Sequence, residues 1–399
     1  MRISRWFSPF ILLWVAACGT AVSRPGAQTD DAATAADAAD GRDDAADSSV
    51  DAAEDAEVSP DPLLPSLPPT LTEALVTATQ AVLADQMTHG LTLTIDVPNH
   101  ARWTQGIGFA DAEHTVPILG LDHLRIGSIT KTFVTAAVLR DVEAGKLNLD
   151  DAVAKLLPEI SIDPAITVRM LLGHRSGLFN YSDDGTVLGA TAQPITPEAL
   201  YATAAKHPPE FAPGTAYKYS NTNFIVLGIL LQKIHALPLQ EWLRQTLWTP
   251  LKLRDVWLEG YEDVGLTHVP GYLAGQPPLP FDTSWAWAAG ALAANGGDLC
   301  TWLRAVYFDR AVVGASSVEA MVTPSAESMQ AGSAYGLGTM IDHRGGRVVV
   351  GHTGSTMGFN AEVYIDRSSG MCVAVLTNDF FGVRKAVGQK VWEVLIAGL

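Results

Sequence analysis

The chain reads as an α+β fold: an antiparallel sheet assembled from both ends of the sequence, flanked by helices, with a mostly helical insertion between. Two observations predict it. Strand-type runs occur early, at 91–97 and 102–109, and again late, at 335–342, 347–351, 359–365 and 371–377. The stretch from about 150 to 285 instead carries helical and loop patterns. Strands grouped at the two chain ends, with helices between, argue for one sheet built from both ends.

The elements follow in order. Thr70 with Glu73 forms a capping box, so a helix starts there. The first two strands are joined by Pro98-Asn99-His100, a turn. Leu124 to Gly127 is a short approach to a helix. From Ser128, the spacing of Ile129, Phe133, Ala136, Ala137, Val138 and Leu139 predicts one long, largely buried helix. Ala212-Pro213-Gly214-Thr215 is a turn, and Phe224 to Ile234 is a second apolar helical run. Asp342 to Arg347 is a Gly-rich hairpin, and a last helix covers about Val383 to Ala397. From Leu67 onward there is ample core for one large unit and no internal linker, so residues 67–399 form a single domain.

The residues before it are of a different kind. Arg2 and Arg5 precede an apolar stretch, Phe7 to Ala17, which is short for a membrane span and fits a signal peptide. Val15-Ala16-Ala17-Cys18 resembles a bacterial lipobox, which implies that residues 1–18 are a lipoprotein signal and that Cys18 carries the lipid. Acyl chains would then anchor the protein stably. Gly19 after the Cys, rather than Asp, implies the outer membrane, facing the periplasm. Residues 19–66 read as a disordered tether. Between Asp30 and Asp61, Ala and Asp dominate, and about a dozen acids face one Arg, Arg42. Such a segment of about 48 residues spans roughly 40 Å. The net charge of −17 argues against nucleic acid as a partner. Membrane association rests on the lipid anchor alone.

Three short peptides carry chemistry. In Ser128-Ile129-Thr130-Lys131, the Lys lies three residues after the Ser and on the same helix face. A serine hydroxyl needs a proton acceptor to become a nucleophile. A buried Lys loses its charge readily and can be that acceptor. The helix N-terminus adds free N–H groups for a developing oxyanion. In Tyr219-Ser220-Asn221, the phenol can shuttle a proton and the carboxamide can hold Lys131 and a substrate amide together. On these residues alone, Asn221 also reads as a helix N-cap. In His352-Thr353-Gly354, placed after the strand 347–351, the imidazole can supply positive charge or a hydrogen bond. The N–H of Ser355, with that of Ser128, would complete an oxyanion hole; a loop His with a turn Gly is the plain alternative. No Gly-x-Ser-x-Gly elbow, His-Glu-x-x-His or Cys-x-x-Cys occurs, so neither an α/β-hydrolase nor a metal site has an anchor. No cofactor is expected. His174 reads as a structural loop His, and Trp285 and Trp287 read equally as cleft lining or core.

The ordered set resembles the penicillin-recognising serine hydrolases, which include serine β-lactamases, D-alanyl-D-alanine carboxypeptidases and esterases. The resemblance extends over Leu124–Phe133, Ile166–Leu178, Tyr219–Phe224 and Tyr335–Gly338, about residues 70 to 399 in all. It implies a β-lactamase/transpeptidase-like fold. It also implies Ser128 as the acylated nucleophile, Lys131 as its activator, Tyr219 as proton shuttle, and Asn221, His352, Thr353, Gly354 and Ser355 as substrate contacts. Tyr-x-Asn resembles the class C β-lactamases, the low-molecular-mass carboxypeptidases and the related esterases, and His-Thr-Gly resembles the carboxypeptidases more than the class C enzymes, so a D-alanyl-D-alanine carboxypeptidase acting on a small or peptidoglycan-like substrate is the leading expectation. An esterase or β-lactamase is the alternative, and a non-catalytic binding lipoprotein the outside one. One departure stands out. The carboxypeptidases place an Arg soon after Tyr-Gly-Leu-Gly to hold the terminal carboxylate, and here Thr339-Met340 occupy that place. Arg344 and Arg347 are the candidate replacements. Cys300 and Cys372 fall in a helix and a strand interior, which predicts two buried thiols rather than a disulfide.

The anchor is testable directly. Cys18→Ser should move the protein from the membrane fraction to the soluble fraction; retention in washed, detergent-free membranes would show the lipobox reading to be wrong.

Overall fold

The computed structural model describes residues 64–84, 88–189, 192–273, 276, 282–381 and 383–399. The signal segment, Cys18 and nearly all of the 19–66 tether lie outside the described residues.

The first described element is helix α1 (Pro69–Leu83), followed by strands β1 (Gly90–Asp96) and β2 (Trp103–Gly108). The two-residue strand β3 (Leu124–Arg125) leads through a 3₁₀ turn at Gly127–Ile129 into helix α2 (Thr130–Glu143). Helices and loops then dominate to residue 290, broken by β4 (Trp257–Leu258). After β5 (Leu292–Ala294) and a helix over Gly296–Leu303 come β6 (Met340–Arg344), β7 (Arg347–Thr356), β8 (Phe359–Ile365) and β9 (Cys372–Thr377). A helix over Arg384–Gly398 ends the chain.

The main sheet has six antiparallel strands in the order β2-β1-β9-β8-β7-β6, so β1 from the front of the chain pairs with β9 from its end. This is the sheet built from both ends that the sequence predicts. Alternation along the strands assigns its two faces. Leu91, Leu93, Ile95, Val373 and Val375 pack with Leu71 and Leu75 of α1 and with Val391, Trp392 and Leu395 of the last helix. On the other face, Ala374, Leu376 and Val363 join Phe133 of α2 and Trp302 in the larger core, where Phe133 and Trp302 stack at 4.0 Å. Cys300 and Cys372 are free, buried thiols.

Four details differ from the sequence reading. Thr70 and Glu73 form no capping box: the first helix starts at Pro69 behind Pro68, with no side-chain cap hydrogen bond. The strand expected from Tyr335 begins only at Met340, because Gly336 and Gly338 turn the chain, Gly338 at φ +59° against Thr135. The strand expected to stop at Gly351 continues to Thr356, so His352, Thr353 and Gly354 lie inside β7 rather than after it. Its pairing with β8 carries through to Thr356 opposite Phe359, and Gly358 at φ +83° closes the hairpin. Finally, the approach to the nucleophile helix is itself a strand, β3, in a small sheet of order β3-β5-β4.

Arg344 is sealed beneath the last helix. Its guanidinium is fully buried and pairs with Glu362 at 3.2 Å and Asp342 at 3.1 Å. The Glu362 carboxylate in turn lies against Gly388 of that helix. Removing one member of a buried pair leaves an uncompensated charge. Arg344→Met should therefore destabilise the fold by about 3–5 kcal/mol, measured by denaturant unfolding. An unchanged midpoint would show that the pair is not buried in solution.

Candidate active site

Two glycines let strand β7 press against the nucleophile turn. Gly127 sits at φ +50°, and a side chain there would lie 2.7 Å from the Ser355 nitrogen. A side chain at Gly354 would collide with the Ile126 carbonyl, 1.8 Å away, and lie 3.1 Å from the Ser128 nitrogen. Bare backbone on both sides brings the Ser128 and Ser355 amides together, as an oxyanion hole requires. Ser128 itself falls in the 3₁₀ turn, one step ahead of α2.

Lys131 is fully buried in the first turn of α2. Its Nζ lies 2.9 Å from Ser128 Oγ and donates to Asn221 Oδ1 at 2.8 Å and to the Ala289 carbonyl at 2.6 Å. The Tyr219 and Phe224 rings lie 5.0 and 5.4 Å from it. Burial pushes its pKa well below the ordinary lysine value. A neutral amine has two N–H bonds and one lone pair. Asn221 Oδ1 and the Ala289 carbonyl can only accept, so they take the two N–H bonds. The lone pair is left facing the Ser128 hydroxyl. The three contacts thus orient the amine as a base.

Each of those acceptors is held. Asn221 begins the helix Thr222–His235 but makes no side-chain cap. Its Nδ2 donates to Ser182 Oγ at 3.0 Å, and its backbone N–H donates to Asn180 Oδ1 at 2.8 Å. Ala289 belongs to the short helix Trp287–Gly290. Trp287, at φ +31°, is buried against Gly228, where a side chain would lie 2.6 Å from its ring. Trp287 is therefore core, and it sets the helix that aims the Ala289 carbonyl.

Tyr219 is half-buried with its hydroxyl sealed from solvent, and desolvation holds its phenol well above the usual value; proximity to Ser128 offsets this only in part. Its Oη makes no aligned hydrogen bond to another protein group, and its ring lies 4.1 Å from His174. His352 is fully buried. Its Nδ1 meets the Thr353 carbonyl at 2.5 Å and its Nε2 meets the Tyr335 hydroxyl at 3.0 Å. Burial, then the Lys131 charge, pushes its pKa down to about 3. Burial therefore disfavours the charged imidazole and favours the hydrogen-bonding one of the two roles the sequence allowed.

Thr353 directs its hydroxyl at Met340 Sδ, 3.5 Å away, and stands opposite Glu362 in the β7–β8 ladder. Ser355 is exposed and donates to Asn360 Oδ1 at 3.1 Å. Neither candidate Arg joins the group. Arg344 is sealed with Glu362, and Arg347 pairs with Asp366 at 2.8 Å. Arg347 also precedes Gly354 by seven residues of extended strand, roughly 23 Å. The cation that borders this edge is Arg384, at the start of the last helix. It donates to Asn360 Oδ1 and lies 3.7 Å from Glu362.

Sequence reasoning read His174 as a structural loop His and gave Tyr335 and Arg384 no role of their own. The first two stand in the stretches that carry the family resemblance, and that was the only signal available. Nothing in the sequence singles out Arg384.

The family model for beta-lactamases matches residues 75–396. The chain belongs to the beta-lactamase family. The D-aminopeptidase of Cereibacter sphaeroides is 28% identical over 279 residues, 68% of this chain and 53% of that one. The chain spans about half the length of the curated relatives it matches. A D-stereospecific amidohydrolase from Streptomyces sp. superposes with a TM-score of 0.72 at 30% identity, covering 82% of this chain and 99% of that one. The D-amino acid amidase of Ochrobactrum anthropi SV3 shares the fold at TM-score 0.73 and 22% identity, over 82% and 98% of the two chains. This beta-lactamase-family chain is a serine hydrolase of the penicillin-recognising superfamily, with the β-lactamase/transpeptidase-like fold that the motifs imply.

The amine geometry makes a kinetic prediction. Arg cannot surrender its proton, so Lys131→Arg should slow single-turnover acylation of Ser128 at least about a hundredfold, and Lys131→Ala similarly. In the parent chain the rate should rise with pH as Lys131 deprotonates, reaching its plateau well below pH 10.5, because the pKa is depressed. A Lys131→Arg rate within about threefold of the parent would remove the lysine from the chemistry.

Proposed function

We propose that this chain hydrolyses amide bonds in small D-configured amino-acid amides and short peptides through an acyl-enzyme on Ser128. The observation that carries the reading is the three-point hold on Lys131 Nζ, which aims its lone pair at Ser128 Oγ. Lys131 takes the serine proton as Oγ attacks the substrate carbonyl. The oxyanion forms between the Ser128 and Ser355 amides. Tyr219, still a neutral phenol, passes a proton to the leaving amine. Attack of water on the acyl-enzyme then reverses the proton path. Asn221 Nδ2 and the β7 edge at Gly354–Ser355 bind the substrate amide.

The choice of D-amide rests on two kinds of support. A D-stereospecific amidohydrolase at 30% identity and a D-aminopeptidase are among the similar proteins. The arginines expected to hold a terminal carboxylate in a D-alanyl-D-alanine carboxypeptidase are both spent elsewhere. One observation favours the carboxypeptidase as a second reading: Arg384 borders the Ser355 edge, where a carboxylate would need a cation. The substrate is a small molecule in either case. The lipid anchor at Cys18 would place the enzyme at a bacterial envelope, within reach of D-amino-acid material.

A substrate panel decides between the readings. D-alanine amide and D-phenylalanine amide, their L-enantiomers, a D-Ala-D-Ala peptide with free or amidated C-terminus, a cephalosporin and a short-chain ester would be compared by kcat/KM. The D-amides should exceed the L-amides by at least about tenfold, with no advantage for a free terminal carboxylate. If the free D-Ala-D-Ala peptide wins and Arg384→Ala erases its advantage, the carboxypeptidase reading replaces the amidase one. A preference for the cephalosporin or the ester would overturn both.

A further inference from the structure

A chain of hydrogen bonds runs beneath Tyr219 and joins the second motif to the third through two residues that belong to neither. The Ser220 N–H donates to His174 Nδ1 at 3.2 Å. His174 Nε2 meets the Tyr335 hydroxyl at 3.2 Å, and that hydroxyl meets His352 Nε2 at 3.0 Å. His352 Nδ1 ends the chain on the Thr353 carbonyl at 2.5 Å. His174, Tyr335 and His352 are all fully buried. The Tyr219 ring lies 4.1, 6.1 and 6.3 Å from their three rings.

Both ends of this chain are backbone groups, and neither can change sign. A backbone N–H only donates, so His174 Nδ1 must accept and the His174 proton sits on Nε2. The Asn223 amide nitrogen lies 3.2 Å from the same Nδ1, while its Oδ1 accepts from Ser176 Oγ at 2.6 Å, so a second donor faces that nitrogen. A backbone carbonyl only accepts, so the His352 proton sits on Nδ1. Tyr335 therefore accepts from His174 and donates to His352. If His352 gained a proton on Nε2, Tyr335 would have to turn its hydroxyl toward His174. His174 would then need its proton on Nδ1, where Ser220 and Asn223 already donate.

We propose that His174 is a positioning residue: acting through Tyr335, it fixes His352 as the uncharged Nδ1–H tautomer behind Tyr219 and Lys131. The groups facing His352 are Lys131 on α2, Tyr219 before the helix Thr222–His235, Tyr335 before β6 and His174 after the helix Val168–Leu172; Arg384 of the last helix, on the other face of β7, adds positive charge from farther away. Tyr217 packs beside Tyr335 and His174 at 5.8 and 6.1 Å. None of these is a carboxylate, so a charged His352 would find no counterion. Among the described residues Lys131 is the cation next to Ser128 when the serine proton arrives, and no imidazolium opposes its charging.

The test combines a spectrum with a rate. The spectrum does not depend on the proposed activity; the rate rests on Ser128 being acylated, so the two can fail separately. In the ¹⁵N-histidine-labelled full chain, the His352 signals, identified by their loss in His352→Gln, should show neutral Nδ1–H from about pH 5 to 8. In His174→Phe or Tyr335→Phe, which leave His352 buried but break the chain that feeds its Nε2, the His352 signals should show an Nε2–H share or the onset of protonation within that window. Acylation of Ser128 by an activated D-amino-acid ester should then acquire an acid limb that the parent chain lacks, falling as His352 takes up its second proton. His174→Gln, whose amide offers both an acceptor and a donor, should restore the parent profile. Titration of His352 in the parent chain, or an Nε2–H signal, would overturn the proposal. So would variants that lose activity equally at every pH, since a merely structural residue does that. If His174→Phe fails to fold by its melting curve, the parent spectrum and Tyr335→Phe decide.

Discussion

The site depends on keeping a lysine amine out of water. In solution an ammonium is strongly hydrated, and a lysine exposed to solvent would be charged at neutral pH and useless as a base. Here Lys131 is enclosed by the Tyr219 and Phe224 rings, and its amine meets two carbonyl-type acceptors besides the serine. Desolvation lowers the cost of the neutral form, and the acceptors decide where its lone pair points. Both effects are required. Burial without the acceptors would give a base with no direction. Acceptors without burial would stabilise the ammonium.

The environment of that amine is assembled from distant parts of the chain. Asn221 comes from the entry to one helix, Ala289 from a four-residue helix set by Trp287, and Ser355 from β7, one strand in from the sheet's edge. What brings the strand close enough is the absence of two side chains. Gly127 and Gly354 meet backbone to backbone, and any Cβ at either would separate the amides of Ser128 and Ser355. The long β7–β8 pairing, continued to Thr356, fixes the strand's position along the turn. The proposed oxyanion hole would therefore rest on sheet register rather than on a loop.

Charge around the third motif is divided between the two faces of β7. On one side His352 is neutral and linked to Tyr335 and His174. On the other, Thr353 stands opposite Glu362, which is bracketed by Arg344 and Arg384. Neighbouring residues in a strand point to opposite faces, so the ionic cluster and the uncharged chain stay apart although the motif residues are adjacent in sequence. This is why an arginine close in sequence, Arg344, is unavailable to a substrate, while Arg384, from the last helix, reaches the cleft edge.

The sequence alone determined the fold class, the pairing of both chain ends in one sheet, and the ordered Ser-x-x-Lys, Tyr-x-Asn and His-x-Gly peptides. These are legible because they rest on local patterns: alternation in strands, apolar spacing in helices, and residue types whose chemistry has few other uses in that order. The reach of Lys131 to Ser128 was likewise readable, since three residues of helix fix it. Only the tertiary structure decided the rest. It placed His352 inside a strand and made its imidazole neutral, it turned Thr353 toward Met340, and it sealed Arg344 under a helix. It also showed that His174 and Tyr335, 161 residues apart, share one hydrogen bond. Such outcomes depend on desolvation and on partners brought together by packing. Neither is written in any local stretch of sequence, because the dielectric and the donors around a side chain are set by segments far from it in the chain.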